Sequence, residues 1–308
     1  MGRDVALVIP TLGGPRLQAV AAAVAALDPP PARVVVVASG PGAAGVNVPG
    51  AEVLRVPRRL GFAAAVNLGL EQAAGCPLVG LLNDDAFPAP VWLSPLVAAL
   101  DAEPRLAAVQ GTVTDGDGRL VDGRGIALDR FGLPVQVDRD APAAPEPGGP
   151  RPLLAVSGTA ALYRTAALEA VALAGGAVLD PAFGSYHEDL DLGLRLRRAG
   201  HGAAFVPGAT VRHRGSSSGA ALPWRHPWWV LANRWRALAG NLTVGALAVA
   251  ALRLLRGELR AVRTLARVNP RAAVVALAVA VALPVLLAGA LARRTPGPRL
   301  AVLPEGAP

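Results

Sequence analysis

The sequence contains no lysine, a single cysteine and few aromatic residues. Because Cys76 has no second cysteine to pair with, an intrachain disulfide is excluded and a reducing compartment is indicated. The N-terminus lacks a charged segment followed by an apolar one, so we predict no signal peptide. Arginine supplies every basic side chain behind the net charge of +8, and it is concentrated after residue 190. Because this charge is unevenly spread, it is a poor indicator of nucleic-acid binding, and none is predicted.

Short apolar runs alternate with helical stretches along the first two thirds of the chain. Glycine and proline mark their boundaries, as at Gly13-Gly14-Pro15. Strands alternating with helices of this length predict an α/β fold with a Rossmann-like, mostly parallel central sheet. The predicted strands are 5–10, 34–37, Glu52–Val56, Leu78–Leu82, 106–110 and 203–207, and the predicted helices are 16–27, one beginning at 61, 90–100 and 188–199.

Two adjacent carboxylates, Asp84 and Asp85, follow the buried apolar run at 78–82. Open α/β sheets bind ligands at the carboxyl ends of their strands. Neighbouring acids repel each other and are costly to desolvate unless a cation joins them. Mg²⁺ and Mn²⁺ commonly bridge such carboxylates to substrate phosphates. The pattern predicts a divalent-cation site, with a solvated turn as the alternative for these residues taken alone.

A second acidic cluster, Glu188, Asp189 and Asp191, occupies the first turn of the helix predicted at 188–199. One acid there would be explained by the helix dipole alone. Three acids exceed what capping needs, and a helix N-terminus keeps a buried aspartate ionised, as a general base requires. His213 follows the predicted strand 203–207. A lone histidine is usually structural, so His213 gains weight only beside these acids.

Taken in order over residues 5–236, these segments resemble the family 2 glycosyltransferases, particularly their rhamnosyltransferase-like bacterial members. The resemblance implies a GT-A fold, a nucleotide-diphosphate sugar donor, a Mn²⁺ or Mg²⁺ cofactor and inversion at the anomeric carbon. The matching segments are 8–11, 61–69, 82–85, 157–164 and 188–192, and then 206–207 followed by His213.

The resemblance also assigns roles by position. Asp189 matches the catalytic base, and Glu188 places the acceptor or the base. Asp85 matches the metal-binding acid, and His213 resembles the histidine that completes metal coordination in some members. The positions expected to bind the donor are Pro10, Thr11, Ser39, Asn67, Asp84, Ser157, Gly158 and Thr159.

The sequence departs from the family pattern after the second predicted strand. Family members usually carry an aspartate there that contacts the nucleobase, whereas this chain has Ala38-Ser39-Gly40-Pro41. The nucleobase preference is therefore left open. Family members often carry an asparagine just before the segment 61–69, whereas this chain has Arg58 and Arg59 there. They either pair with donor phosphate or are plain surface arginines.

The C-terminal part has a different character, and we predict a division into a catalytic domain at 1–222 and a helical, membrane-associating region at 223–308. Four of the five tryptophans lie between Trp224 and Trp235, interleaved with arginine and histidine. An uncharged apolar stretch at 272–292 is long enough to cross a bilayer, and a helix lying on the membrane is the alternative. Five arginines recur at intervals of three and four residues, which predicts a basic face for lipid head groups or a solvated face: Arg253, Arg256, Arg260, Arg263 and Arg267.

Together these features predict an inverting, metal-dependent glycosyltransferase of polysaccharide biosynthesis at the cytoplasmic face of the cell membrane. The favoured donor is dTDP-rhamnose, followed by UDP-galactofuranose and UDP-N-acetylglucosamine, and the acceptor is a lipid-linked or cell-wall glycan. Two alternatives remain. One is a catalytically silent nucleotide-sugar-binding or scaffold protein at the membrane. The other is a nucleotidyltransferase, for which 13–16 would be the phosphate-binding loop.

Overall fold

The computed structural model describes residues 4–215, 224–292 and 297–304. Strands and helices alternate through the first part, and helices alone follow the last long strand. The strands are β1 (Val5–Thr11), β2 (Arg33–Ser39), β3 (Glu52–Val56), β4 (Leu78–Leu82), β5 (Ala86–Pro88), β6 (Leu106–Thr114), β7 (Val121–Gly123), β8 (Ile126–Leu128), β9 (Pro134–Gln136), β10 (Arg151–Leu153), β11 (Ala160–Arg164) and β12 (Gly202–His213). The helices are α1 (Arg16–Ala25), α2 (Phe62–Gln72), α3 (Leu93–Ala102), α4 (Thr165–Ala170), α5 (Glu188–Arg198), α6 (Arg225–Asn241), α7 (Val244–Val268) and α8 (Arg271–Ala292).

The central sheet runs in the order β10-β12-β6-β11-β4-β1-β2-β3, with β5 paired to β12 and β7 to β6. Strands β3, β2, β1 and β4 are parallel to one another, and β6 is parallel to β12. Strand β11 is antiparallel to both of its neighbours. The predicted α/β fold with a mostly parallel sheet and C-terminal helices is confirmed. The inserted β11 and the short strands β5, β7 and β10 pair antiparallel and make the sheet mixed.

The apolar runs become strands because both faces of this sheet are covered. Every residue of β4 is buried, and one hydrophobic cluster lies on each face of the sheet. Such two-sided burial explains why the strands are continuously apolar rather than alternating. Because β1 and β4 are parallel neighbours, with Val8 opposite Leu81, their carboxyl ends lie side by side. Thr11 and the acidic turn after Leu82 are thereby brought together.

Strand β12 is longer than predicted. It continues past the expected end at Val206-Pro207, with a register shift against β6 between Phe205 and Thr210. The strands approach so closely here that a Cβ on Gly111 would lie 1.9 Å from the carbonyl oxygen of Ala209. The last residue of β12 is His213, which the sequence placed beyond the strand. Helix α3 also begins later than predicted, at Leu93 rather than at residue 90.

The C-terminal helices pack directly on the α/β part. Helix α6 lies between α5 and α8, and one hydrophobic cluster joins residues from both sides: Ile126, Leu154, Phe183, Leu190 and Leu194 with Trp235, Leu238, Leu242 and Leu254. The predicted domain boundary at 222–223 lies outside the described residues, and the division into two domains stays a prediction. Helix α8 is long and apolar enough to span a membrane, and only 17% of its apolar window is buried.

Candidate active site

Asp85 and His213 meet because β5, which begins directly after Asp85, pairs with the end of β12. His213 lies opposite Ala86 in that ladder. The Nε2 atom of His213 lies 3.1 Å from Oδ1 of Asp85, and both side chains are buried. The other ring nitrogen, Nδ1, lies 2.8 Å from Oδ2 of Asp122 on β7. The histidine is thus held between two carboxylates.

This arrangement sets the charge of the histidine. Burial alone would lower the pKa of His213, but the carboxylates of Asp122 and Asp85 outweigh it and raise the pKa to about 9. Burial would likewise raise the pKa of Asp122, yet the hydrogen bond with His213 lowers it. Without a cation, His213 is therefore an imidazolium that bridges two carboxylates, and metal binding at Nε2 has to displace its proton.

The residues present fit a divalent cation. Nε2 of His213 is buried and faces Oδ1 of Asp85 at 3.1 Å, while Nδ1 is oriented by Asp122, as in carboxylate–histidine–metal triads. Within the described ranges, no group of three or more His, Cys, Asp and Glu side chains is arranged to hold a metal ion by itself. Mg²⁺ commonly takes only one or two carboxylates from the protein and completes its shell with water and substrate phosphates. Asp85 and His213 would hold the ion in that manner.

Beside this pair, the ends of β1 and β4 place Thr11 against Asp84. The hydroxyl of Thr11 donates a 2.5 Å hydrogen bond to Oδ2 of Asp84 and accepts one from the backbone N–H of Gly13. Burial raises the pKa of Asp84, and the hydrogen bond from Thr11 opposes that shift only in part. Arg16, at the start of α1, lies 3.5 Å from Oδ2 of Asp85. A cationic side chain therefore faces the acidic turn.

The segment Ser157–Thr159 connects the acidic turn to the second acidic cluster. The carbonyl oxygen of Thr159 accepts a 2.9 Å hydrogen bond from the backbone N–H of Asn83, immediately before the acidic turn. One residue earlier, the backbone N–H of Gly158 donates to Oδ2 of Asp189 at 3.2 Å. This three-residue segment, which includes a turn at 158–159, thus fixes Asp189 relative to the end of β4.

Glu188 and Asp189 form a buried, strongly interacting pair of acids at the start of α5. Burial, followed by the charge of Asp189, raises the pKa of Glu188 to about 8, and Oε2 of Glu188 has no hydrogen-bond partner. Burial also raises the pKa of Asp189, but backbone N–H groups of Gly158 and Leu190 stabilise its charged form. Because these N–H groups favour the charged form of Asp189, Glu188 is the member of the pair that keeps its proton to higher pH.

Comparison with models of known families identifies the family of this chain. The model described as Glycosyl transferase family 2 matches residues 7–171, more than half of the chain. The chain belongs to glycosyltransferase family 2. A further model, Glycosyltransferase like family 2, matches residues 138–235 of this glycosyltransferase and so extends over α5, β12 and much of α6.

One solved structure agrees on the fold of the glycosyltransferase, and a second is similar to a smaller extent. A crystal structure of GalNAc-T7 with UDP, GalNAc and Mn²⁺ has a TM-score of 0.57 at 17% identity, covering 79% of this chain and 49% of that one. A crystal structure of S. aureus TarS has a TM-score of 0.49 at 15% identity, covering 77% and 42%. The glycosyltransferase therefore spans about half the length of these solved relatives or less. A search of curated proteins gave no match.

The start of α5 is held in an unusual backbone conformation by α6. Tyr186 and His187 both have left-handed φ angles, of 71° and 68°. Asn233 of α6 is fully buried, and its Nδ2 lies 2.8–2.9 Å from the carbonyl oxygens of Phe183, Ser185 and Tyr186. Non-glycine residues adopt this conformation only when their surroundings over-determine it, and such sites cluster at functional positions. The C-terminal region therefore helps to position Asp189.

Asn67 and Ser39, which are also expected to bind the donor, have hydrogen-bond partners within the protein. Asn67 is buried on α2, where it accepts from the backbone N–H groups of Val178 and Leu179 and donates to the carbonyl oxygen of Leu179. Ser39 accepts a 3.3 Å hydrogen bond from the backbone N–H of Leu60. Pro10 is half-buried in β1 next to Thr11. A donor contact at these three positions stays a prediction.

Three residues without a predicted role contact the candidate site. Asp122 orients His213, Asn233 holds the segment before α5, and Gln110 accepts a 2.6 Å hydrogen bond from the backbone N–H of Ser157. All three act across at least 40 residues of chain. No local sequence pattern distinguishes Asp122 or Asn233. Gln110 is different, because a lone amide within the apolar stretch of a strand indicates a buried polar contact.

Proposed function

We propose that this protein is an inverting, divalent-metal-dependent glycosyltransferase that moves a sugar from a nucleotide-diphosphate donor to a membrane-bound glycan acceptor. The observation that carries the proposal is the short connection between the two acidic clusters. The backbone N–H of Gly158 donates to Asp189, the proposed base, and the carbonyl oxygen of Thr159 accepts from the N–H of Asn83, which precedes the proposed metal-binding turn. The distance between base and turn is therefore fixed by adjacent residues. A glycosyl transfer needs these two groups on opposite sides of the same anomeric carbon.

The residues divide the chemistry between them. Asp189 accepts the proton of the attacking acceptor hydroxyl, which is otherwise a poor nucleophile. Thr11 and Asp84 bind the donor at the ends of β1 and β4, and Asp85 and His213 hold the cation. A bound cation neutralises the charge that gathers on the leaving diphosphate, without a proton donor. A single in-line displacement then inverts the anomeric carbon, and no covalent sugar–enzyme intermediate is formed.

For the donor we propose dTDP-rhamnose first, followed by UDP-galactofuranose and UDP-N-acetylglucosamine. The resemblance to rhamnosyltransferase-like members supports the first choice, and UDP in the GalNAc-T7 structure supports including UDP-sugars. Because residues 38–41 contain no aspartate, other groups must contact the nucleobase of the donor. The first assay therefore tests a panel of nucleotide sugars rather than one substrate.

We place the enzyme at the cytoplasmic membrane surface, where a lipid-linked or cell-wall glycan acceptor would be presented. The outward faces of α7 and α8 carry exposed apolar side chains, among them Val249 at 90% exposure and Val281 and Val285 at 75%. The five arginines of α7 are also exposed. Apolar side chains flanked by arginines are typical of helices that contact anionic lipid.

The test is release of nucleoside diphosphate by detergent-purified protein from a panel of nucleotide sugars, with a membrane extract as acceptor. We expect release from one donor that requires both the extract and Mn²⁺ or Mg²⁺ and stops with EDTA. Asp189→Asn should lower kcat by about 10²–10⁴-fold while donor binding persists. Asp117→Asn, in an exposed turn, is the matched control.

Each outcome of this assay separates the proposal from its alternatives. Donor binding without release by the wild-type protein would indicate the silent binder. Release of pyrophosphate from a nucleoside triphosphate would indicate a nucleotidyltransferase. Normal turnover by Asp189→Asn would remove Asp189 from the role of base.

A further inference from the structure

Arg16, the first residue of α1, lies beside the acidic turn with its N–H groups unsatisfied by the protein. Its side chain is 43% exposed, and Nη1 lies 3.5 Å from Oδ2 of Asp85. In the part of the chain that the structure describes, the guanidinium takes part in this single ion pair and in no hydrogen bond. A guanidinium carries five N–H donors. Arg16 is therefore held near the turn by charge alone, and its donors are available to a ligand.

The two carboxylate oxygens of Asp85 face two cationic side chains of different mobility. Oδ1 lies 3.1 Å from Nε2 of His213, and Oδ2 faces Arg16. The charge of Arg16 also acts on the neighbouring carboxylate, Asp84. His213 is buried and bonded to a second carboxylate, whereas the half-exposed Arg16 side chain has no further anchor. Arg16 is therefore the counter-ion of Asp85 that is able to move.

The loop between β1 and α1 places Arg16 on the donor side of the sheet. The backbone N–H of Gly13 donates to the hydroxyl of Thr11, which in turn donates to Asp84. Gly13 and Gly14 have φ angles of 84° and 137°, which favour glycine, so the chain turns from β1 into α1 within residues 12–15. Arg16 is thereby brought to the edge where Thr11 and Asp84 are proposed to bind the donor.

Two other arginines lie near the acidic turn but do not face its carboxylates. Arg212 precedes His213 in β12 and points to the opposite face of the strand, because successive side chains of a strand alternate. The guanidinium of Arg214 lies 5.5 Å from the centre of the Phe87 ring. Of the three arginines around the turn, Arg16 is therefore the one directed at the metal-binding acid.

We propose that Arg16 neutralises Asp85 until a divalent cation holds that carboxylate, and that it then binds the diphosphate of the donor. An ion pair as exposed as this one is weak, so a divalent cation competes with it readily. The cation joins carboxylates to substrate phosphates, which brings the diphosphate within reach of the displaced side chain. The planar guanidinium matches two phosphate oxygens. This inference rests on the metal-dependent transfer proposed above.

The experiment measures two binding equilibria of the full-length protein in detergent. Mn²⁺ binding alone is followed by the electron paramagnetic resonance signal of free Mn²⁺. Diphosphate binding in saturating Mn²⁺ is followed by calorimetry with UDP, dTDP, GDP, ADP and CDP, and the diphosphate that binds the wild type most tightly is used. Arg16→Gln should bind Mn²⁺ about two- to fivefold more tightly, because it lacks the competing charge. It should bind the diphosphate about 10- to 100-fold more weakly, as for the loss of a charged hydrogen bond.

Two further variants are matched to this one. Arg16→Lys keeps the charge but not the planar fork, so its Mn²⁺ affinity should stay close to that of the wild type, and its diphosphate affinity should lie between those of the wild type and Arg16→Gln. Arg105→Gln removes an exposed arginine just before β6, at the opposite edge of the sheet from the acidic turn, and should change neither affinity. Thermal unfolding of each variant checks that it is folded.

Tighter Mn²⁺ binding together with weaker diphosphate binding by Arg16→Gln would support the inference, because a merely structural role for Arg16 would weaken both. Any other combination, or a wild-type protein that binds none of the diphosphates with Mn²⁺, would overturn it. Nucleoside diphosphate release from nucleotide sugars is measured on the same wild-type preparations. Release by the wild type, with both affinities unchanged in Arg16→Gln, refutes this inference alone. The two opposite shifts without any release by the wild type refute the proposed transfer alone.

Discussion

Replacing Glu188 by glutamine tests how the acid pair at the start of α5 shares its proton. In the folded protein the carboxyl group of Glu188 is buried, its Oε2 atom has no hydrogen-bond partner, and Asp189 is adjacent. Burial and the neighbouring charge raise the pKa of Glu188 to about 8 from an ordinary value of 4.5. Glutamine has the same shape and no charge, so it mimics the protonated acid.

The sign of the effect follows from proton binding in the two states. As pH rises above 4.5, the unfolded chain releases the Glu188 proton, whereas the folded chain keeps it until about pH 8. The folded state then holds more protons, so the free energy of unfolding of the wild-type protein falls as pH rises through this window. Each pKa unit is worth about 1.4 kcal/mol, so the loss reaches at most about 5 kcal/mol. Glu188→Gln lacks this loss.

The assay is chemical denaturation of detergent-purified wild type and Glu188→Gln at several pH values from about 5 to about 8. We expect the two proteins to have similar free energies of unfolding at the acidic end, and the variant to be more stable by a few kcal/mol at the alkaline end. Glu169→Gln, an exposed glutamate on α4, is the control and should show no such divergence. A difference that is constant with pH, or that shrinks as pH rises, would refute the assignment of the proton to Glu188.

Three other changes probe separate parts of the molecule. Asp122→Asn removes the carboxylate that orients His213, and it should raise the Mn²⁺ concentration for half-maximal activity by about 10–100-fold; an unchanged value would contradict the metal site. Asn233→Ala should lower the free energy of unfolding by about 1–3 kcal/mol and reduce kcat, measured together, since the segment before α5 loses its support. Changing Arg253, Arg256 and Arg260 to glutamine should weaken flotation with anionic vesicles by roughly a hundredfold, at about 1 kcal/mol each; equal flotation with neutral vesicles would contradict a basic lipid-facing surface.

The sequence alone predicts elements with clear punctuation on both sides. Strands β3 and β4 begin and end at the predicted residues, because glycine, proline or polar residues bound each of them. The acids of the site were predicted as well, since Asp84 and Asp85 follow a buried strand and Asp189 lies in the first turn of a helix. In each case the acidic residues lie next to, or within the first turn of, an element that a short stretch of sequence predicts.

Features that depend on pairing between distant strands were not predictable. The second half of β12 contains Pro207 and Gly208, which locally indicate the end of a strand, but pairing with β5 and β6 continues it to His213. The contact of Asp122 with His213 spans 91 residues, and neither residue lies in a pattern that points to the other. Tertiary pairing overrides local propensity at these positions.

Helix α6 packs against both α5, which carries Asp189, and the apolar α8. This packing limits how the protein can be produced. A chain cut after β12 would expose Phe183, Leu190 and Leu194, which the C-terminal helices cover, and would lose the side chain that holds the turn before Asp189. Such a fragment is expected to aggregate rather than to behave as a smaller soluble enzyme. Polar substitutions at Val281 and Val285, which are both 75% exposed, are the better route to detergent-free protein.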